Sequence, residues 1–129
     1  MTISITPLYA GVLALAFVAL SIRVVALRRQ ARVALGDGGN RALQRRQRVH
    51  GNFAEYVPFA LLLMALLELQ SVPGWLIHTI GIALICGRAI HAYGVSQEPE
   101  TIAIRAGGMV LTFTALIVGA LANLWQAAA

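Results

Sequence analysis

The sequence predicts an all-α integral membrane protein, one bundle of four transmembrane helices occupying residues 1–129. Three observations lead there. The 129-residue chain is 59% hydrophobic and only 12% charged, with a mean hydropathy of +0.77. A water-soluble surface on a domain of this length needs far more charge than that. Four long apolar runs, near residues 8–27, 50–69, 75–93 and 102–125, are separated by short polar connections. Each is close to the ~20 residues that cross a bilayer's roughly 30 Å hydrocarbon core.

The remaining composition narrows the class further. Net charge is +5 and its positive part is all arginine, ten residues with no lysine. Such basicity can mark nucleic-acid binding, but most of this charge sits beside apolar spans, where it sets topology instead. Nucleic acid is therefore not an expected partner. The single cysteine, Cys86, lies inside an apolar run, so no intrachain disulfide can form. Cleavage of the first run as a signal peptide is not expected, because Met1–Pro7 lacks a basic segment and no small-residue cleavage motif follows.

In the first span Pro7 suits an opening helical turn, where a missing N–H is tolerated. Arg23, its one charge, lies about a turn from the end and can snorkel to the interface. The connection Arg28–Arg48 carries seven of the ten arginines and one acid, Asp37. By the positive-inside rule it is cytoplasmic, which leaves both termini outside. Gly36-Asp37-Gly38-Gly39 reads as a turn supplying positive φ, and Asn40 as the cap of a helix starting near Arg41.

That second helix begins arginine-rich and becomes apolar past Asn52. Pro58 removes one backbone hydrogen bond and is expected to loosen or kink it. Glu68 and Gln70 mark the far end, and Ser71-Val72-Pro73-Gly74 is a tight turn. In the third span Trp75 and His78 occupy the outer boundary, while Arg88 and His91 lie near the inner end on one face. Gly94–Glu100 is a short connection with two acids. The fourth span carries Arg105 in its first turns and Trp125 at the outer edge. Ala115 and Gly119 permit close helix contact there.

The chemistry concentrates in the second helix. With Arg48 at zero and about 100° per residue, Asn52 falls near 40°, Glu55 near 340°, Tyr56 near 80° and Arg45 near 60°, whereas His50 falls near 200°. The first five share a face and His50 does not. Glu55 lies roughly 10 Å deeper than Arg48 along the axis. An unpaired carboxylate there would be costly, so it needs Arg48 or an arginine of another helix, Arg88 or Arg105, as partner. Arg45-Arg46 reads as a topology signal. A carboxylate beneath a rim of arginines suits an anionic, water-soluble ligand entering from the cytosol, because guanidinium forks bind carboxylates bidentately. The residue types single out no metal-ligating set.

Arg48-x-His50-x-Asn52-x-x-Glu55-Tyr56-x-Pro58 resembles the second-helix signature of the MAPEG family, membrane-associated proteins in eicosanoid and glutathione metabolism. Arg28-Arg29-x-x-Arg32-Val33 and Arg88-x-x-His91 resemble that family's first and third helices. The likeness, strongest to short bacterial inner-membrane members, covers essentially the whole chain. It implies a homotrimer, with glutathione bound as co-substrate between neighbouring subunits near the cytoplasmic side. The implied glutathione-binding positions are Arg28, Arg48, His50, Asn52, Glu55, Tyr56, Arg88, His91 and Tyr93, with Glu55 meeting the amino group and arginines the carboxylates. Arg105, or alternatively Arg29, would stabilise the thiolate. The tyrosine that the family's synthases place seven residues after the helix-three arginine is absent, and Val95 stands there.

Two functions follow as expectations. The first is a glutathione transferase or peroxidase acting on lipophilic electrophiles that enter laterally from the membrane. The second is a non-enzymatic membrane scaffold that binds a lipid or small anion in the same pocket.

Overall fold

In a computed structural model, which describes residues 2–129, four helices account for most of the chain: α1 (Thr6–Ala31), α2 (Arg41–Leu69), α3 (Gly74–Ser96) and α4 (Ile102–Ala128). Each is long and apolar enough to cross a membrane. Many large apolar side chains face outward, among them Leu15 on α1, Phe59 on α2, Ile82 on α3 and Leu124 on α4. An outward apolar surface on every helix suits hydrocarbon surroundings rather than water.

Helix α1 has Pro7 in its first turn but no side-chain cap of its own. The acceptor comes from the other end of the sequence. Glu68, in the last turn of α2, takes the backbone N–H groups of Ser4 and Ile5 on Oε1, each at 2.6 Å, and that of Thr6 on Oε2 at 2.7 Å. One carboxylate thereby satisfies donors that a helix start leaves open, and sits at the positive end of the helix dipole. The sequence shows Glu68 only as the end of a span.

At its other end α1 closes on Arg32, whose φ is +55°, with Val33 N–H donating to the Arg28 carbonyl at 3.0 Å. Gly36, Gly38 and Gly39 all adopt positive φ, as the turn reading requires. Asp37 Oδ1 accepts the Gly39 N–H at 2.9 Å, and Asn40 Oδ1 accepts that of Leu43 at 3.0 Å, capping α2. Helix α2 continues without a break through Pro58. Ala54 and Pro58 both lie on an exposed face of the helix.

The interior is a single apolar seam of Leu13, Phe53, Val57, Met64, Ile77, Leu84 and Ala115, with contributions from all four helices. Helices α3 and α4 pack closest. A Cβ on Gly87 would stand 2.9 Å from the Gly108 carbonyl oxygen, and one on Gly94 would stand 2.6 Å from the Arg105 backbone nitrogen. Helix α3 stays helical to Ser96, past the end of its apolar run, and residues 97–101 form the connection to α4. Gly119, expected to allow close contact, does so toward α2: a Cβ there would meet Leu63 Cβ at 3.3 Å. Helix α1 packs chiefly on α2. Tyr9 ties it to α3, its hydroxyl 2.8 Å from His78 Nδ1. His78 is thus a helix–helix contact.

Candidate functional site

At the arginine-rich end of the bundle, the first turns of α2, the end of α3 and the start of α4 enclose a cavity of about 360 Å³. Its walls are Arg41, Gln44, Arg45 and Arg48 from α2, Val95 from α3, Glu100 from the connection and Arg105 from α4. Four guanidinium groups against one carboxylate make it strongly cationic. The α2 residues reach it because positions 41, 44, 45 and 48 recur at three- and four-residue intervals on one helix face. Arg105 reaches it because the glycine at 94 lets α4 start directly against α3.

Glu100 bridges two of those arginines. Its Oε1 accepts Arg105 Nη1 at 2.8 Å, and its Oε2 accepts Arg45 Nη1 at 3.4 Å. The hydrogen bond from Arg105 holds the Glu100 carboxyl below the usual carboxylate range. The Arg105 and Arg45 charges add to that effect, and partial burial opposes it. Arg45 also donates to the Val95 carbonyl at 3.3 Å, while its buried Nε has no hydrogen-bond partner among the described residues.

The face of α2 that the sequence groups together divides in two. Arg48 and Glu55 pair on the exterior, Nη1 to Oε1 at 3.3 Å, with side chains 49% and 51% exposed. Of the candidate partners for Glu55, the one on its own helix is realised. Asn52 turns inward, accepting Arg88 Nη1 on Oδ1. Arg88 also donates through Nε to Thr112 Oγ1 at 3.1 Å and through Nη2 to Met109 Sδ at 3.3 Å, so it joins α2, α3 and α4. Tyr56 borders the same knot: its ring lies 5.9 Å from the Arg88 guanidinium carbon and edge-on to Phe113. An angular difference of roughly 60° on the helix separates the buried from the exterior pair.

The other sequence candidates lie apart. His50 stacks on Phe17 at 4.6 Å between ring centres and places Nε2 3.0 Å from Ser21 Oγ, in the α1–α2 seam. His91 is buried where α4 crosses at Gly108. Tyr93 is 59% exposed on the outside of α3. Arg28 donates to the Gly36 carbonyl at 2.7 Å. Arg29 lines, with Arg28 and Arg32, a separate open depression at the end of α1. Of the two arginines considered for thiolate stabilisation, Arg105 faces the cationic cavity and Arg29 does not, within one chain.

Arg41, Gln44, Arg45 and Glu100 are cavity residues that the sequence reading did not assign. Part of the signal was present: Arg45 shares the Arg48 face in the helical projection, and Arg41 falls near 20° on it. Reading Arg45 as a topology signal hid this. Glu100 had no such signal, since its pairing with Arg45 joins residues on separate elements.

Residues 6–125 match the model of the MAPEG family. The chain is 43% identical over 121 residues to the inner membrane protein YecN of Escherichia coli strain K12, covering 94% of this chain and 91% of that protein. The same figures hold for the inner membrane protein YecN of Escherichia coli O6:H1. No solved structure matches the chain.

Proposed function

The chain belongs to the MAPEG family, and from that premise we propose an integral inner-membrane protein that binds glutathione and uses it in transferase or peroxidase chemistry on lipophilic electrophiles. The observation that carries this reading is the cavity of about 360 Å³ bounded by Arg41, Arg45, Arg48 and Arg105. Glutathione offers two carboxylates, an ammonium group and a thiol. Guanidinium forks suit the carboxylates, and Glu55, beside Arg48, suits the ammonium. Arg105 supplies positive charge that favours thiolate over thiol. The thiolate then forms a sulfur–carbon bond with the electrophile, whose leaving group departs with its electron pair. Outward apolar faces on all four helices give a lipophilic substrate a lateral approach.

A homotrimer accompanies this reading. The Arg48–Glu55 pair is half-exposed on the side of a helix of membrane-crossing length. Ionised groups there are unfavourable against hydrocarbon unless protein or water covers them. A neighbouring subunit would cover them and bring its own α1 end, with Arg28 and Arg29, toward the site. The arginine-rich connection is then cytoplasmic and both termini are outside.

One observation favours binding without catalysis. Val95 presents an apolar wall where the family's synthases carry a tyrosine, so the cavity lacks one hydroxyl near the thiol. Conjugation of glutathione to an electrophilic arene by the purified protein separates the readings. Turnover above the solution rate that is lost in Arg105→Ala supports the enzyme. Saturable glutathione or lipid binding with only the solution rate in both proteins supports the scaffold. Native mass spectrometry in lipid nanodiscs reports the subunit number, and a monomer would remove the trimer.

A further inference from the structure

A carboxylate already occupies the forks that an incoming anion would use. Glu100 divides its two oxygens between Arg45 of α2 and Arg105 of α4, one Nη1 contact on each, where a ligand carboxylate facing either fork squarely would take two parallel bonds. It is a side chain of the short connection 97–101, so it is tethered beside the cavity but not built into a helix. Its Arg45 contact is long, at 3.4 Å, and runs through Nη1, which also donates to the Val95 carbonyl at 3.3 Å. The bridge therefore leaves donor capacity unspent on Arg45. A ligand carboxylate with freer geometry can satisfy more of it.

We propose that Glu100 is a tethered competitor of the anionic ligand, holding Arg45 and Arg105 in the empty cavity and leaving them when a ligand carboxylate or phosphate enters. This rests on the cavity being an anion site as proposed above, and adds what keeps it selective. A weakly bound monoanion gains too little to displace the tethered carboxylate, whereas a ligand with two or more anionic groups also engages Arg41 and Arg48 and displaces it. Glu100 also keeps the four-arginine cavity from being an unpaired cluster of like charges when empty.

The sign of one substitution separates this from a positioning role. If Glu100 merely orients Arg105 for the ligand, Glu100→Gln weakens binding. If it competes, Glu100→Gln keeps the side-chain shape, removes the charge and tightens binding by roughly 1.5- to fivefold, the range expected for a partly exposed ion pair. Full-length protein in detergent micelles is titrated calorimetrically with glutathione and, separately, with inorganic phosphate. Glu98→Gln removes an equal charge from the same connection; Glu98 shares a side depression with Arg45 but, among the described residues, forms no ion pair with Arg45 or Arg105, and its loss is expected to leave both affinities unchanged. Glu100→Asp, one methylene shorter, is expected to shift affinity in the same direction and serves if Glu100→Gln does not fold.

Tighter binding of either anion by the Glu100 variant alone supports the competitor. Equal or weaker binding of both, or an equal gain in Glu98→Gln, overturns it. Tighter phosphate binding with no glutathione binding by any protein keeps the competitor and removes glutathione as the ligand. If neither anion binds any of the proteins, the competitor is overturned together with the anion site.

Discussion

Arg88 of α3 and Asn52 of α2 meet in the interior, guanidinium Nη1 donating to amide Oδ1, while Nε of the same arginine is held by Thr112 of α4. Three helices thus share one buried cation, 5% exposed, with a neutral acceptor on each side. Each acceptor takes up a donor that hydrocarbon would leave unsatisfied.

Removing one acceptor strands that donor. Asn52→Ala is expected to lower stability by about 2 kcal/mol, the scale of a lost hydrogen bond to a charged group. Replacing both partners, Asn52→Leu with Arg88→Met, is expected to recover part of the loss, since no buried charge remains to be satisfied. Reversible unfolding in mixed micelles measures both. An additive double mutant would mean that the two residues do not act as a pair.

Glu68 closes the start of α1 from a distance of more than sixty residues in sequence. Glu68→Ala is expected to cost about 1–2 kcal/mol, in the range of a lost helix cap. Hydrogen exchange localises the effect: the amides of residues 4–6 should exchange faster, while those of the α3–α4 seam keep their protection.

The glycine at 94 sets the position of Arg105. Gly94→Ala places a methyl 2.6 Å from the Arg105 backbone nitrogen, so α3 and α4 must part. A loss of about 1–3 kcal/mol is expected from overpacking, together with weaker anion binding as Arg105 moves. Gly11→Ala, where nothing lies within 4 Å, is the control: it should leave binding intact and stability equal or slightly raised, since alanine favours a helix interior.

Stability near the acid limit carries the mark of Glu100. Its carboxyl titrates below the ordinary 4.5 because Arg105 and Arg45 favour the ionised form. The unfolded chain therefore binds this proton first as pH falls, so the contribution is complete above 4.5 and is lost as pH drops through the folded value. Melting temperatures followed from about pH 6 down to about pH 3 should fall less steeply in Glu100→Gln than in the wild type. Parallel curves would mean that the pairing is absent in solution.

Four helices, their order and the crowding of arginine at one end were legible in the sequence, because each is a local property. An apolar run of membrane-crossing length needs no distant partner to be helical in lipid, and glycine and asparagine at 36–40 shape their own turn. The family signature on α2 was legible for the same reason: its spacing lies on one helix. Tertiary structure decided what those residues face. It sent Asn52 inward to Arg88 and left Glu55 outside with Arg48, although the two are only three residues apart. It moved His50 into the α1–α2 seam, made Arg45 a cavity wall, gave Glu68 to the start of α1 and set Glu100 between two arginines. Each of those outcomes pairs groups from different elements, and a helical projection carries no information on where the neighbouring helices lie.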